Sequence, residues 1–303
     1  MDGLLLIDKP EGVSSFDVIR RVRRIAGVKR VGHGGTLDPF ASGLLTVALG
    51  SATRLLEYLL GEDKIYRATM RLGQQTDTQD LTGRIVCETR PDEEVIARLE
   101  EVLPRFVGEI EQTPPMYSAL KKDGVPLYKL ARRGEEVDRR PRRVQIHALR
   151  LGAVQGYDVS FEVHCSKGTY VRTLAHDIGQ ALGCGAHLRT LRRLAAGAFH
   201  VDAALRFDEL ETMDRERLRR QLHSPLQAMA GYPVARLDDE GFRHVCNGRL
   251  PAPGQIVLPE SLSSPATVCL AYGDRLAAVA EYRCVDDGNN GCRLRLRKVF
   301  SAP

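Results

Sequence analysis

Two stretches alternate apolar and polar residues with a period of two, and together they restrict the fold more than any other feature of the chain. Tyr66, Ala68, Met70 and Leu72 alternate with Arg67, Thr69 and Arg71, and Val159 to Cys165 repeats the alternation. Successive side chains of a strand point to opposite faces, so both stretches predict strands buried on one face. The second runs through Lys167 and Gly168 into Val171, Leu174, Ala175, Ile178 and Leu182, where the apolar spacing becomes helical. A strand, a turn and a helix follow one another. Strands and helices mixed in this way, without regular βαβ spacing or a dinucleotide fingerprint, predict an α+β fold on a mixed, mostly antiparallel sheet.

The rest of the chain supplies further elements. The run at residues 4–7 predicts a short buried strand, with a turn at Pro10 and Gly12. Ser14 with Asp17 three residues later forms a capping-box pattern, and Val18, Ile19, Val22, Ile25 and Ala26 predict a helix that Gly27 ends. A glycine-rich stretch from Gly32 to Leu45 interrupts regular structure before an apolar strand. Residues 116–144, broken by Pro, Gly and charge, read as an exposed insertion with one short helix near 127–132. A boundary falls at Gly231-Tyr232-Pro233, giving a main domain over 1–230 and a small β-rich module over 231–303.

At 303 residues, with 43% hydrophobic and 27% charged residues, the chain has the makings of a core and is neither disordered nor collagen-like. No run approaches 18 apolar residues, which disfavours a membrane span, and a cytoplasmic protein is expected. Seven scattered cysteines, an odd number, fit reduced thiols. The net charge of +5 is mild, so its placement matters more than its total. Arg20, Arg21, Arg23, Arg24, Lys29 and Arg30 form one cluster; ten Lys or Arg against four acids between Met116 and Arg150 form another; Arg293, Arg295, Arg297 and Lys298 form a third. Three basic patches point to a long polyanion.

Metal and nucleotide chemistry fare poorly on the same reading. His164-Cys165 and Cys184-x-x-His187 offer ligand types that suit zinc, but strand neighbours point to opposite faces, and no metal site is expected. The glycine-rich loop lacks the phosphate-loop spacing and its lysine, and no G-x-S-x-G elbow is present. Asp38, between Leu37 and Pro39 in that loop, is the carboxylate best placed to meet a ligand, although a loop aspartate is by itself an ordinary turn former.

Taken together, Asp8-Lys9-Pro10-x-Gly12-x-Ser14-Ser15, Gly32-His33-x-Gly35-x-Leu37-Asp38-Pro39-x-Ala41-x-Gly43, Lys64-x-Tyr66-Arg67 and Cys165-Ser166-Lys167-Gly168-Thr169-Tyr170-x-Arg172 closely resemble the TruB family of tRNA pseudouridine synthases. The likeness extends from about Gly3 to Leu194, and more weakly to the end of the chain.

The resemblance implies a pseudouridine synthase catalytic domain, a thumb-like RNA clamp in the insertion and a PUA-like RNA-binding module at the C-terminus. It implies isomerisation of uridine-55 in the T loop of tRNA, with no cofactor, no required protein partner, no membrane and a monomeric enzyme. It also implies roles for individual residues. Asp38 acts at C1′ of the ribose, Arg172 pairs with it and favours its charged form, and Tyr66 lies against the base. His33 fills the gap the flipped base leaves, Tyr170 and Leu191 line the pocket, Lys9 and Pro10 brace the loop and bind with Lys167 on the substrate side. The alternatives are a guide-RNA-dependent relative and an RNA-binding or RNA-folding module without turnover; a tRNA-folding chaperone role is compatible with catalysis.

Overall fold

Ser14 opens the first helix as its neighbours require. Its hydroxyl accepts the Asp17 amide at 3.1 Å while the Asp17 carboxylate accepts the Ser14 amide at 3.2 Å, closing a capping box on the Ser15–Ala26 helix. Gly27 ends the helix in the left-handed region at φ 63°. Val18, Ile19, Val22 and Ala26 are buried, and Arg23 and Arg24 face solvent. The chain is described from a computed structural model, over residues 1–118, 120–285 and 291–300. Ala119 of the insertion and residues 286–290 and 301–303 of the C-terminal module lie outside the described residues.

The main sheet has ten strands, eight of them in the order Leu205–Arg206, Gly3–Lys9, Ser42–Leu49, Ala186–Ala196, Lys64–Leu72, Asp158–Cys165, Arg142–Gln155 and Gly108–Gln112. Val31–His33 adds to the Ser42–Leu49 strand, and Phe199–His200 adds to Ala186–Ala196. Two pairings are parallel, Gly3–Lys9 with Leu205–Arg206 and Ala186–Ala196 with Ser42–Leu49, and the others are antiparallel. The mixed, mostly antiparallel α+β architecture expected from the sequence is therefore present. Ala186–Ala196 joins the halves of the sheet: Arg192 and Arg193 register against Ser42 and Gly43 on one side and against Arg67 and Tyr66 on the other. The helices Ser15–Ala26 and Val171–Leu182 bury Val18, Val22, Leu174 and Ile178 with Leu45, Met70 and Phe161 of the sheet.

The insertion carries a hairpin of Lys121–Lys122 with Val125–Pro126 and a helix over Leu127–Ala131, agreeing with the short helix expected there. Its last residues, 142–144, already belong to the main sheet. Arg142–Gln155 is a strand paired with both Gly108–Gln112 and Asp158–Cys165, and its many exposed positions hide the period-two signal.

At the C-terminus the strands Val234–Leu237, Ile256–Val257, Ala266–Tyr272, Arg275–Val285 and Gly291–Val299 form a second sheet, against which the Asp239–Cys246 helix packs. Cys269, Leu276, Val279 and Phe300 share a buried cluster with Leu4, Leu6, Leu55 and Leu59 of the first sheet and its flank. Lys298 reaches Glu57 at 2.6 Å, and the Arg54 guanidinium sits 5.0 Å from the Phe300 ring centroid. Part of the third basic cluster thus joins the two sheets. One expectation fails: Cys284 is disulfide-bonded, whereas Cys87, Cys165, Cys184, Cys246 and Cys269 are free. A cysteine count cannot tell which positions a sheet register will bring within bonding reach.

Candidate active site

The loop that carries Asp38 is held at both ends. Ser15, the first helical residue, donates its hydroxyl to the Leu37 carbonyl at 3.0 Å and accepts the Leu37 amide at 2.9 Å, and the Gly12 amide donates to the Pro39 carbonyl at 2.8 Å. Leu37 is buried beneath the loop, which leaves the adjacent Asp38 side chain about one third exposed, at 34%. Gly43 permits the loop to rejoin the sheet. Its φ is +101°, and a Cβ there would stand 2.2 Å from the Arg193 carbonyl oxygen of the neighbouring strand.

Asp38, Tyr66, Tyr170, Arg172 and Leu191 all line one cleft of about 310 Å³, together with Lys64, Ser118 and Arg193. The Val171–Leu182 helix presents Arg172 from its first turn, nearly buried at 5% exposure. Its Nε lies 3.1 Å from Asp38 Oδ2, one Nη lies 2.9 Å from Asp80 Oδ2 and donates to the Thr78 carbonyl, and the other donates to the Tyr117 carbonyl at 2.8 Å. A planar guanidinium with five donors suits such a junction. Asp80, itself buried, also accepts from the hydroxyl of Thr78 at 2.8 Å and from the Thr82 amide at 2.9 Å.

Burial pushes the Asp38 carboxyl above its ordinary 3.8, with Arg172 as the largest opposing influence and Lys9 and Arg193 adding to it; Asp80 raises it further. The guanidinium does favour the charged form, as the sequence reading expected, yet dehydration outweighs it.

Tyr66 stands on the inner face of the Lys64–Leu72 strand, 8% exposed. Arg193 Nε donates to its hydroxyl at 3.2 Å, and the guanidinium carbon lies 5.5 Å from its ring centroid. Burial raises the phenol above its ordinary value, and Arg193 opposes that rise. The remaining Arg193 donors meet the carbonyls of Gly35, Thr36 and Leu44 at 2.9–3.2 Å, so one buried guanidinium ties the Asp38 loop to the Tyr66 ring.

The other residues expected in the site take outlying places. Lys9 is fully buried: its ammonium donates to the carbonyls of Pro10 at 2.8 Å and Val13 at 2.7 Å, with Pro39 at 3.5 Å. Desolvation brings it down to about 8. It braces the loop from within and is not among the residues lining the cleft, while Pro10 is an exposed residue beside it. His33, on the Val31–His33 strand, does not line the cleft; its Nδ1 is buried without a partner, and burial lowers its pKa. Lys167 is exposed between Ser166 and Gly168, which do line the cleft. Asp80 and Arg193 were missed from sequence. Asp80 lies in a polar tract whose partner is 92 positions away, and Arg193 lies on a strand whose alternation is broken by bulges.

Comparison with known proteins gives matches over most of the chain. Residues 23–171 match the model of the TruB family pseudouridylate synthase N-terminal domain, and residues 172–229 match that of the tRNA pseudouridylate synthase B C-terminal domain. The latter match ends short of the second sheet. The tRNA pseudouridine synthase B of Syntrophotalea carbinolica is 47% identical over 93% of this chain and 92% of its own length, and that of Geobacter sulfurreducens is 46% identical over 99% and 100%. Among solved structures, a Cbf5-Nop10-Gar1 complex contains a chain similar at a TM-score of 0.74 and 29% identity, covering 98% of this chain and 84% of that one. A second, an H/ACA RNP bound to a substrate RNA containing 2′-deoxyuridine, is similar at a TM-score of 0.74 and 27% identity, over 99% and 85%.

Proposed function

Because this chain belongs to the TruB family and is an RNA pseudouridine synthase, we propose that it isomerises uridine-55 in the T loop of tRNA, with Asp38 as the catalytic carboxylate. The single observation that carries the reading is the Asp38–Arg172 pair, an aspartate presented by a clamped loop in a cleft with a buried guanidinium at 3.1 Å. The relatives at 46–47% identity bear the tRNA enzyme's name, whereas the chains solved in a Cbf5-Nop10-Gar1 complex and in an H/ACA RNP share 29% and 27%, which favours a stand-alone enzyme over a guide-dependent one.

In the reaction the C1′–N1 bond breaks, C1′ rejoins the base at C5, the C5 proton leaves and N1 gains a proton. No electrons are transferred, and no cofactor is called for. The C1′ carbon becomes cation-like as the bond breaks, and a carboxylate beside it stabilises or traps it, as in retaining glycosidases. Arg172 orients Asp38 and favours its ionised form, offsetting part of the dehydration that raises its pKa. Tyr66 packs on the base and receives the C5 proton; burial alone disfavours the phenolate this requires, and Arg193 counters that penalty.

Extruding the uridine costs a few kcal/mol. The imidazole of His33 would stack in the space it leaves, Tyr170 and Leu191 would bound the flipped base, and Lys167 would meet the RNA at the rim. The insertion at 116–144 acts as the clamp on the T arm, and residues 231–303 serve as a PUA-like RNA-binding module. The enzyme works as a cytoplasmic monomer without a protein partner, and its grip on the T arm would also let it assist tRNA folding.

The test is tritium release from C5-labelled uridine in a T-arm transcript. Wild type is expected to release tritium, and Asp38→Asn to lose release by at least ~10³-fold while its RNA affinity stays within about threefold, because only the reacting group changes. Tight binding without release by wild type would overturn the reading in favour of RNA capture alone.

A further inference from the structure

Away from the cleft, the described histidine, cysteine and acidic side chains gather in one group able to hold a metal ion, formed by Asp63, His147 and His164. The sequence offers His164 as a possible ligand but not this grouping, since its members come from three adjacent parts of the sheet. Asp63 immediately precedes the Lys64–Leu72 strand, and His164 stands opposite Ile65 of that strand and Ala148 of the Arg142–Gln155 strand. A register irregularity between Ile146 and Ala148 brings His147 beside His164, with ring centroids 4.6 Å apart and planes tilted by 44°.

Both rings direct Nε2 toward one carboxylate oxygen. His147 Nε2 lies 3.0 Å from Asp63 Oδ2, a hydrogen-bond distance, and His164 Nε2 lies 4.0 Å from the same atom, too far for one. Hydrogen bonding therefore accounts for one imidazole and leaves the orientation of the second unexplained. A cation bound at about 2.1 Å by tetrahedral ligands sets its donor atoms roughly 3.4 Å apart. That spacing falls between the two observed distances, and all three donor atoms lie within 4.8 Å of one another, so side-chain adjustment without movement of the strands would complete the set. The Asp63 main chain is already anchored, its carbonyl accepting the Gly197 amide at 2.9 Å. All three side chains are reachable from solvent, between 36% and 46% exposed.

We propose that Asp63, His147 and His164 bind one divalent first-row transition cation of the zinc type, with water completing the coordination. Two imidazoles and a carboxylate favour such a cation over calcium or magnesium, which take oxygen ligands. The thiol of Cys165, the strand neighbour of His164, is buried in the core and takes no part. Bound there, the ion links three neighbouring strands near the position from which Lys64 and Tyr66 enter the cleft, and it acts as a structural clip on the sheet that carries the site.

The experiment uses the full chain, dialysed against a chelator and then titrated with Co²⁺ by absorption and with Zn²⁺ by calorimetry. One equivalent per chain is expected at micromolar affinity, with Tm rising by roughly 3–8 °C at a hundredfold excess over Kd. Asp63→Asn and His164→Gln should each weaken binding by at least ~10-fold and abolish the Tm rise, and His200→Gln, outside the cluster, should leave both unchanged. No uptake by wild type below millimolar metal, or uptake unchanged in Asp63→Asn and His164→Gln, would overturn the proposal. Metal uptake is measured without RNA, so its outcome is independent of the uridine-55 reading.

Discussion

Arg172 divides its donors among Asp38, Asp80 and two main-chain carbonyls, and burial, opposed by this guanidinium, sets how Asp38 titrates. The carboxyl is held above 3.8 in the folded protein, so catalysis should fail as pH falls through that raised value; the acid limb of kcat/KM is expected above 3.8, read by tritium release. Stability moves the other way. Below 3.8 the group is protonated in both folded and unfolded chains and contributes nothing; as pH rises toward the folded value the unfolded chain sheds its proton first, and the penalty is complete above that value. Asp38→Asn removes the penalty, so it should melt above wild type at neutral pH and converge with it in acid, a difference that paired melting curves would show. Arg193 is the second residue on which the site depends. Arg193→Met strands two loop carbonyls, the Leu44 carbonyl of the adjoining strand and the Tyr66 hydroxyl, and a loss of roughly 2–5 kcal/mol is expected in denaturant titration, with catalysis reduced further than RNA binding.

Among the elements, the first helix owes its start to Ser14 and its position under the active loop to Ser15. Ser14→Ala should cost about 1 kcal/mol, measurable as a shift in denaturation midpoint without a change in slope. This helix, the two alternating strands and the Val171–Leu182 helix were legible in the sequence because each keeps one period from end to end. The Ala186–Ala196 strand was not, although it lies mid-sheet and carries Leu191 and Arg193. Register shifts between Leu188 and Thr190 and between Arg193 and Ala195 break its alternation, and the same irregularity places a basic residue in the interior, where a periodic reading would put an apolar one. Asp38, Tyr66 and Arg172 were found through motifs, which report chemistry held at fixed spacing. Asp80 and the Asp63 cluster depend on pairings between distant segments, which spacing alone does not encode.

For the whole molecule, the exposed hairpin of the insertion is where charge should govern affinity. Replacing Lys121 and Lys122 with alanine should weaken binding to T-arm RNA alike across sequences and lower the slope of log K against log salt by about 1.4–1.8, with single-turnover release at saturating protein unchanged. The C-terminal sheet presents another case, since Leu276, Val279 and Phe300 are interleaved with Leu4, Leu6 and Leu55. A shared interior of this kind leaves neither sheet a complete apolar face of its own. Heating should therefore produce one calorimetric transition whose van't Hoff and calorimetric enthalpies agree, and a chain cut before Val234 should expose the back of the catalytic sheet and aggregate instead of surviving as a smaller enzyme.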